Sequence, residues 1–230
     1  GHVADHRQVV GDEQVGQAEL VLEVLEQVDD LRLDRDVERG DGLVAHQELG
    51  LYRQCARNAD ALALPAARSY AKIAPSSPHA LHMPSHIFTR LGLWQESIQS
   101  NLASAAIAKK HVAMSHPGAA SFDELHALDY LVYAYLQGAE DQKSRQILVQ
   151  VAALKKVDAP VVAAAYAFTA IPARYALERR RWSEAARLEL HPASFPWEHF
   201  RYAEALIYYA RAVGAARSGN PASARKDVEK

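Results

Sequence analysis

From about residue 66 onward the apolar positions recur every three or four residues. In ELHALDYLVYAYLQ, Leu125, Leu128, Val132, Tyr135 and Leu136 fall at i, i+3, i+7, i+10 and i+11, one face of a helix. FRYAEALIYYARAVGAARSG repeats the pattern with Ala203, Leu206, Ile207, Ala210, Val213 and Ala216. No stretch shows the period-two alternation of β-branched residues that a half-buried strand requires. The pattern predicts an all-α fold.

The helical stretches are punctuated by a recurring short turn followed by a small residue. It reads RLGLWQESI around Gly92 and Trp94, QGAEDQKSRQIL around Gly138, RRRWSEAARL around Trp182, and RSGNPASARK around Gly219. Taking Ser97, Ser144, Ala185 and Ala224 as equivalent gives gaps of 47, 41 and 39 residues. Such a degenerate period suits stacked helical hairpins. The glycine allows the left-handed conformation that closes the turn. Trp94 and Trp182, two residues on, are expected as wedges between helices. The small residue one turn later allows a close helix crossing.

LGLWQESI, RRRWSEAA and SGNPASA resemble the tetratricopeptide repeat, with QGAEDQKS a weaker match because it lacks the aromatic. ALPAARSYAKIAPSSP looks like the second helix of an earlier repeat, closed by Pro75 or Pro78. With PHALHMPSHIFTRLGLWQESI and ELHALDYLVYAYLQ, residues 66–230 resemble a bacterial family of longer tetratricopeptide-repeat proteins of unknown activity. That resemblance implies a right-handed α-solenoid of about three to four hairpins with a concave groove. It also implies further repeats before this point, so the chain reads as a C-terminal fragment with a foreign start.

Composition sharpens this division. Residues 1–68 contain no Lys, Ile, Ser, Thr, Phe, Trp or Met, although the chain has 41 such residues. Even mixing would place about 12 of them there. The same stretch holds 7 Arg against 14 Asp and Glu, whereas the remainder is net +5. Residues 1–65 therefore form a distinct acidic segment, and two readings of it stand. QAELVLEVLEQVDDLRLDR has Leu20, Val24, Leu25 and Val28 at helical spacing, and Asp41-Gly42 is a turn signal. Alternatively, DEQVGQAEL, EQVDDLRLDRDVERGDGLVA and ARNADALALPA resemble reverse-strand or frameshifted translations of GC-rich genes. The segment is then poorly ordered or spurious, and its scattered His2, His6 and His46 carry no chemistry. Residues 1–64 are not expected to dock into the repeat core.

The chemistry candidates are few. His79-x-x-His82-x-x-x-His86 places three imidazoles at i, i+3 and i+7, ligands suited to zinc, copper or nickel. Pro84, however, reads as the first residue of a helix, which puts His82 before that helix and breaks the common-face argument. Capping, packing or backbone bonding is the default reading of the three histidines, and metal binding the alternative. Asp123, Glu124, His126 and Asp129 form a second cluster, expected chiefly as a charged helix start. His126 and Asp129 can pair, and the cluster can supply a metal ligand to the first. Ser115-His116-Pro117-Gly118 reads as a turn. Arg179-Arg180-Arg181 reads as the basic end of a helix. The tyrosines of DYLVYAYL and LIYYARA read as repeat packing, some of them lining the concave face. No nucleophile-elbow, phosphate-loop, dinucleotide or H-E-x-x-H motif occurs.

The net charge of -2 argues against an electrostatic nucleic-acid binder. The single Cys55 excludes an intrachain disulfide framework or a multi-cysteine metal site. No apolar run is long enough for a membrane span or a signal-peptide core, and the cytoplasm is favoured over the periplasm for this chain. The leading expectation is a non-enzymatic scaffold that holds a protein or peptide partner in its groove. The alternative is a metal-binding protein or metal-dependent enzyme with zinc or a similar divalent ion on His79, His82, His86 and His126.

Overall fold

A computed structural model describes residues 61–230. The expectations for the N-terminal segment, including its three histidines, Cys55 and its docking, concern residues outside this range or the relation between the two units. Residues 61–70 are helical, and a division between compact units falls between Tyr70 and Ala71. The second unit is described below.

Its helices are α1 (Pro78–His82), α2 (Pro84–Leu91), α3 (Trp94–Ser115), α4 (Phe122–Gln137), α5 (Asp141–Ala153), α6 (Val162–Glu178), α7 (Trp182–Ala185), α8 (Arg201–Arg217) and α9 (Pro221–Val228). One 3-10 turn spans Trp197–His199. The sole strand-like pairing among the described residues is an isolated parallel bridge between Ala120 and Val157. The all-α expectation holds.

Local chemistry explains the helix starts. Ser77, Ser121 and Asn220 cap α1, α4 and α9 by accepting from Ala80, Asp123 and Ser223 backbone N–H groups. Pro78, Pro84 and Pro221 sit where a missing N–H costs nothing. Four helix pairs, α2–α3, α4–α5, α6–α7 and α8–α9, are joined by linkers of two or three residues.

The turns follow one rule that the glycine pattern captured only in part. Two residues before the second helix of each pair the backbone is left-handed, at Gly92 (φ 72°), Ala139 (57°), Arg180 (52°) and Gly219 (79°). In the second turn Gly138 is right-handed, and the next residue takes the strained conformation. In the third, the three arginines form the linker itself. Arg179 binds Asp141 of α5, and Arg181 binds Glu184 at 2.7 Å.

The small residues fall where the repeat register put them. Ser97, Ser144, Ala185 and Ala224 are each the fourth residue of a second helix, and the first three are wholly buried. On α4 the five expected residues Leu125, Leu128, Val132, Tyr135 and Leu136 are all buried. On α8 Ala203, Ile207 and Ala210 are buried as expected and Leu206 and Val213 half-buried, but the last turn differs: Ala216 is exposed, while Ala212, Gly214 and Ala215 are buried. Trp94 and Trp182 are half-buried rather than enclosed. Trp94 meets the edge of Tyr133 at 5.7 Å, and Trp182 lies under Arg217.

The third pair departs most from a regular array. Its second helix lasts only four residues. LELHPASFPW follows, and its two prolines prevent helix continuation. The segment and the 3-10 turn after it instead supply Phe195, Trp197 and Phe200, which join Phe168 in the apolar cluster, with Trp197 Nε1 donating to the Pro192 carbonyl at 3.0 Å. That cluster is built from α3 to α6, this segment and the start of α8.

Candidate metal centre

The N-terminal end of the unit is held together differently. Met83 keeps right-handed backbone angles (φ -50°, ψ -40°), and its N–H donates to the His79 carbonyl at 2.9 Å. The chain therefore keeps turning through the proline break. His82 and His86 stay one turn apart on a common side, a correction to the expectation that Pro84 separates them.

α3 faces this segment with a buried polar stripe, Ser97, Asn101 and Ser104, flanked by Ser100. Ser104 Oγ donates to the Pro78 carbonyl at 2.7 Å and Ser100 Oγ to the Leu81 carbonyl at 2.5 Å. Thr89 and Ser97 hydroxyls meet at 3.0 Å. The hydroxyls thus occupy carbonyls at the broken helix, where backbone partners run short.

One ring nitrogen from each of His82, His86 and His126 lies within 4.8 Å of the others. His82 is buried and the other two half-buried. The Nε2 atoms of His82 and His86 are 3.0 Å apart. The His82 and His126 rings are 4.3 Å apart between centroids. Tyr130 closes the group as a fourth ring, 4.7, 5.0 and 5.4 Å from His82, His86 and His126. The two helices pair position by position at an offset of 44 residues, the separation of His86 from Tyr130 and of His82 from His126.

The hydrogen bonds order the protons. Asn101 Nδ2 donates to the Ser97 carbonyl at 2.8 Å, which turns Oδ1 towards His82. Oδ1 accepts from His82 Nδ1 at 2.6 Å. The proton of neutral His82 is therefore on Nδ1, leaving a lone pair on Nε2. His86 Nε2 must then donate to that lone pair, and His86 Nδ1 accepts from the Tyr130 hydroxyl at 2.9 Å. Burial, reinforced by His126 and His86, drives the His82 pKa down to about 3. Burial also lowers His126, against the pull of Asp129, and raises the Tyr130 hydroxyl to about 12. His82 and His126 are thus held towards the neutral form, the form that binds metals.

The other expected residues are placed apart. His79 is exposed and contributes no nitrogen to the converging set. Asp129 is nearly inaccessible and ion-paired with Arg174 of α6, whose Nη1 also donates to the Asp129 carbonyl at 3.3 Å. It serves helix packing rather than tautomer control of His126. Glu124 is buried and accepts from Gln150 of α5 at 3.1 Å. His116 ends α3, and Gly118 (φ 81°) makes the turn expected of Ser115–Gly118.

Asn101 and Tyr130 are the site residues that sequence reasoning missed. Their signals were a lone amide one turn after a helix-crossing serine, and a tyrosine one turn after His126. Comparison with known protein families, curated proteins and solved structures finds no match to this chain.

Proposed function

We propose that the unit binds a divalent transition ion, zinc being the best chemical fit, through His82, His86 and His126. The observation that carries this reading is the convergence of three imidazoles, of which His82 and His86 are each oriented from behind, by Asn101 and by Tyr130. Metal-bound histidines characteristically have such a partner on the other ring nitrogen. The spacing is also suitable. Ligand nitrogens at 2.0–2.1 Å on a tetrahedral ion are about 3.3 Å apart, and His82 and His86 stand at 3.0 Å. Loading requires the His86 proton to leave Nε2. It can reappear on Nδ1 with the Tyr130 oxygen as acceptor, so that no net charge is created on the ring.

The ion would tie α1 and α2 to α4 and so brace neighbouring helix pairs. The scaffold reading is compatible with this role. It is favoured by the exposure of Tyr166, Tyr202 and Tyr209 on α6 and α8, the first helices of their pairs. In that reading these helices line a groove of a tetratricopeptide-like solenoid that takes an extended peptide.

The metal reading is tested on protein stripped with chelator and titrated with Zn2+ or Co2+. One equivalent is expected to bind and to raise the melting temperature. His86→Ala is expected to lose binding at least tenfold while keeping its helical circular dichroism. Unchanged melting with metal, or equal binding by His86→Ala, refutes it.

A further inference from the structure

We infer that an ion on His82, His86 and His126 keeps an exchangeable fourth position on its solvent side and binds a small-molecule carboxylate there. This deepens the three-histidine reading and rests on it.

The first argument is the donor set and its burial. The converging atoms are three ring nitrogens, and no carboxylate or thiol among the described residues joins them. Asp129 is committed to Arg174 and Glu124 to Gln150, while Asp123 and His79 stand outside the set. Three nitrogens fill three of the four places on a tetrahedral ion, and the fourth then holds a water that a ligand can displace. Burial sets the direction of that place. His82 is 2% exposed and tied from behind to Asn101, whereas His86 and His126 are half-buried. The ion is therefore shut in at His82 and reached from solvent past the other two rings. Tyr130, half-buried and 5.0 and 5.4 Å from those rings between centroids, crowds the approach and restricts it to a compact ligand.

The second argument is charge. Histidine binds a metal through its neutral ring, so three imidazoles leave the double charge of the ion uncompensated in a partly desolvated site. An anionic ligand is favoured over a neutral one there. The neighbouring charges point the same way. At the Tyr130 hydroxyl the charge of Asp129 is offset by its partner Arg174, and Arg90 of α2 adds a further positive influence. Among small anions, a carboxylate carries the oxygen donor that zinc takes beside histidines. The exchange is a simple substitution: a carboxylate oxygen bonds to the ion, and the water leaves with both its protons.

The test uses the full chain loaded with Co2+, whose visible spectrum reports on the ligands of the ion. Added acetate is expected to change that spectrum along a saturable curve. Acetamide, a neutral molecule of the same shape, is expected to bind at least tenfold more weakly. A Co2+ spectrum that forms on the protein but ignores acetate overturns the open position, shows the site to be closed by the chain itself, and leaves the three-histidine reading standing. Equal responses to acetate and acetamide overturn the preference for a carboxylate. Failure of the chain to bind Co2+ at all overturns the metal reading and this inference together.

Discussion

Ser144 shows how a single atom can be out of place in a well-formed register. It occupies the same helix-crossing position as Ser97 and Ala185 and is wholly buried. Ser97 finds Thr89 and Ala185 has no polar group, but the Ser144 hydroxyl has no partner among the described residues. An unsatisfied buried hydroxyl costs about 1–3 kcal/mol. Ser144→Ala is therefore expected to stabilise the protein by about 1 kcal/mol, seen as a higher urea midpoint; a lower midpoint would show that the hydroxyl has an unseen partner. The position itself was legible because close helix crossing demands a small side chain, and that demand leaves a sequence trace. The partner of a hydroxyl depends on what the neighbouring helix presents, and leaves none. The same distinction applies in the turns. Left-handed backbone at Gly92 and Gly219 coincides with glycine, but Ala139 and Arg180 adopt it too, because the place two residues before the second helix rather than the residue type imposes it.

At the scale of the element, the informative case is α7. A four-residue helix would ordinarily be too short to persist, yet α8 lies directly against it. A Cβ built at Gly214 would stand 2.5 Å from Ala186 N, 2.7 Å from Ala185 Cβ and 2.7 Å from the Trp182 carbonyl oxygen. Two of these three atoms belong to backbone and cannot swing aside. Gly214→Ala, which in an open helix would gain about 0.5–1 kcal/mol, is here expected to lose roughly 1–3 kcal/mol through overpacking. Chemical denaturation reads the sign directly, and a gain would mean that α7 and α8 are farther apart. Helix periodicity placed α8 and its buried Ala203, Ile207 and Ala210 correctly, but carried the face on through Val213 to Ala216. The rotation towards Gly214 and Ala215 follows from the contact with α7, which no property of the α8 sequence alone encodes. Likewise, the prolines of LELHPASFPW foretell the end of α7 but not the aromatic filling that replaces the missing turns.

Across the whole unit, the candidate metal centre was half legible. Histidines at 82 and 86 drew attention by their spacing, and His126 by its position in a charged helix start. Their convergence depends on the parallel pairing of two segments 44 residues apart, and hence on every intervening element. The apparent obstacle, Pro84, was read as a break in direction. It is only a break in hydrogen bonding, since Met83 stays right-handed. His79, which shares the spacing equally well, is exposed and contributes no nitrogen to the converging set, because helical spacing places side chains on a surface without saying what lies opposite.

The serine and asparagine stripe of α3 has a consequence for how the molecule opens. None of the residues of α1 and α2 belongs to the main apolar cluster, which begins at Ile98 and runs through α4 and α6. The segment 78–91 buries Ala80, Ile87 and Phe88 outside that cluster, and its polar fastening to α3 runs through directional bonds that water can replace, so it is expected towards the low end of the local stability scale. Its amide hydrogens are expected to exchange with solvent well before those of α4 and α6. One bound ion should slow exchange in 78–91 selectively, without altering α8 or α9. Hydrogen-exchange mass spectrometry with and without Zn2+ resolves this, and uniform protection across the unit would contradict it. In kinetic terms, a seam of hydroxyls and one amide is expected to let the histidine-bearing segment act as a latch, one that a bound ion would hold shut.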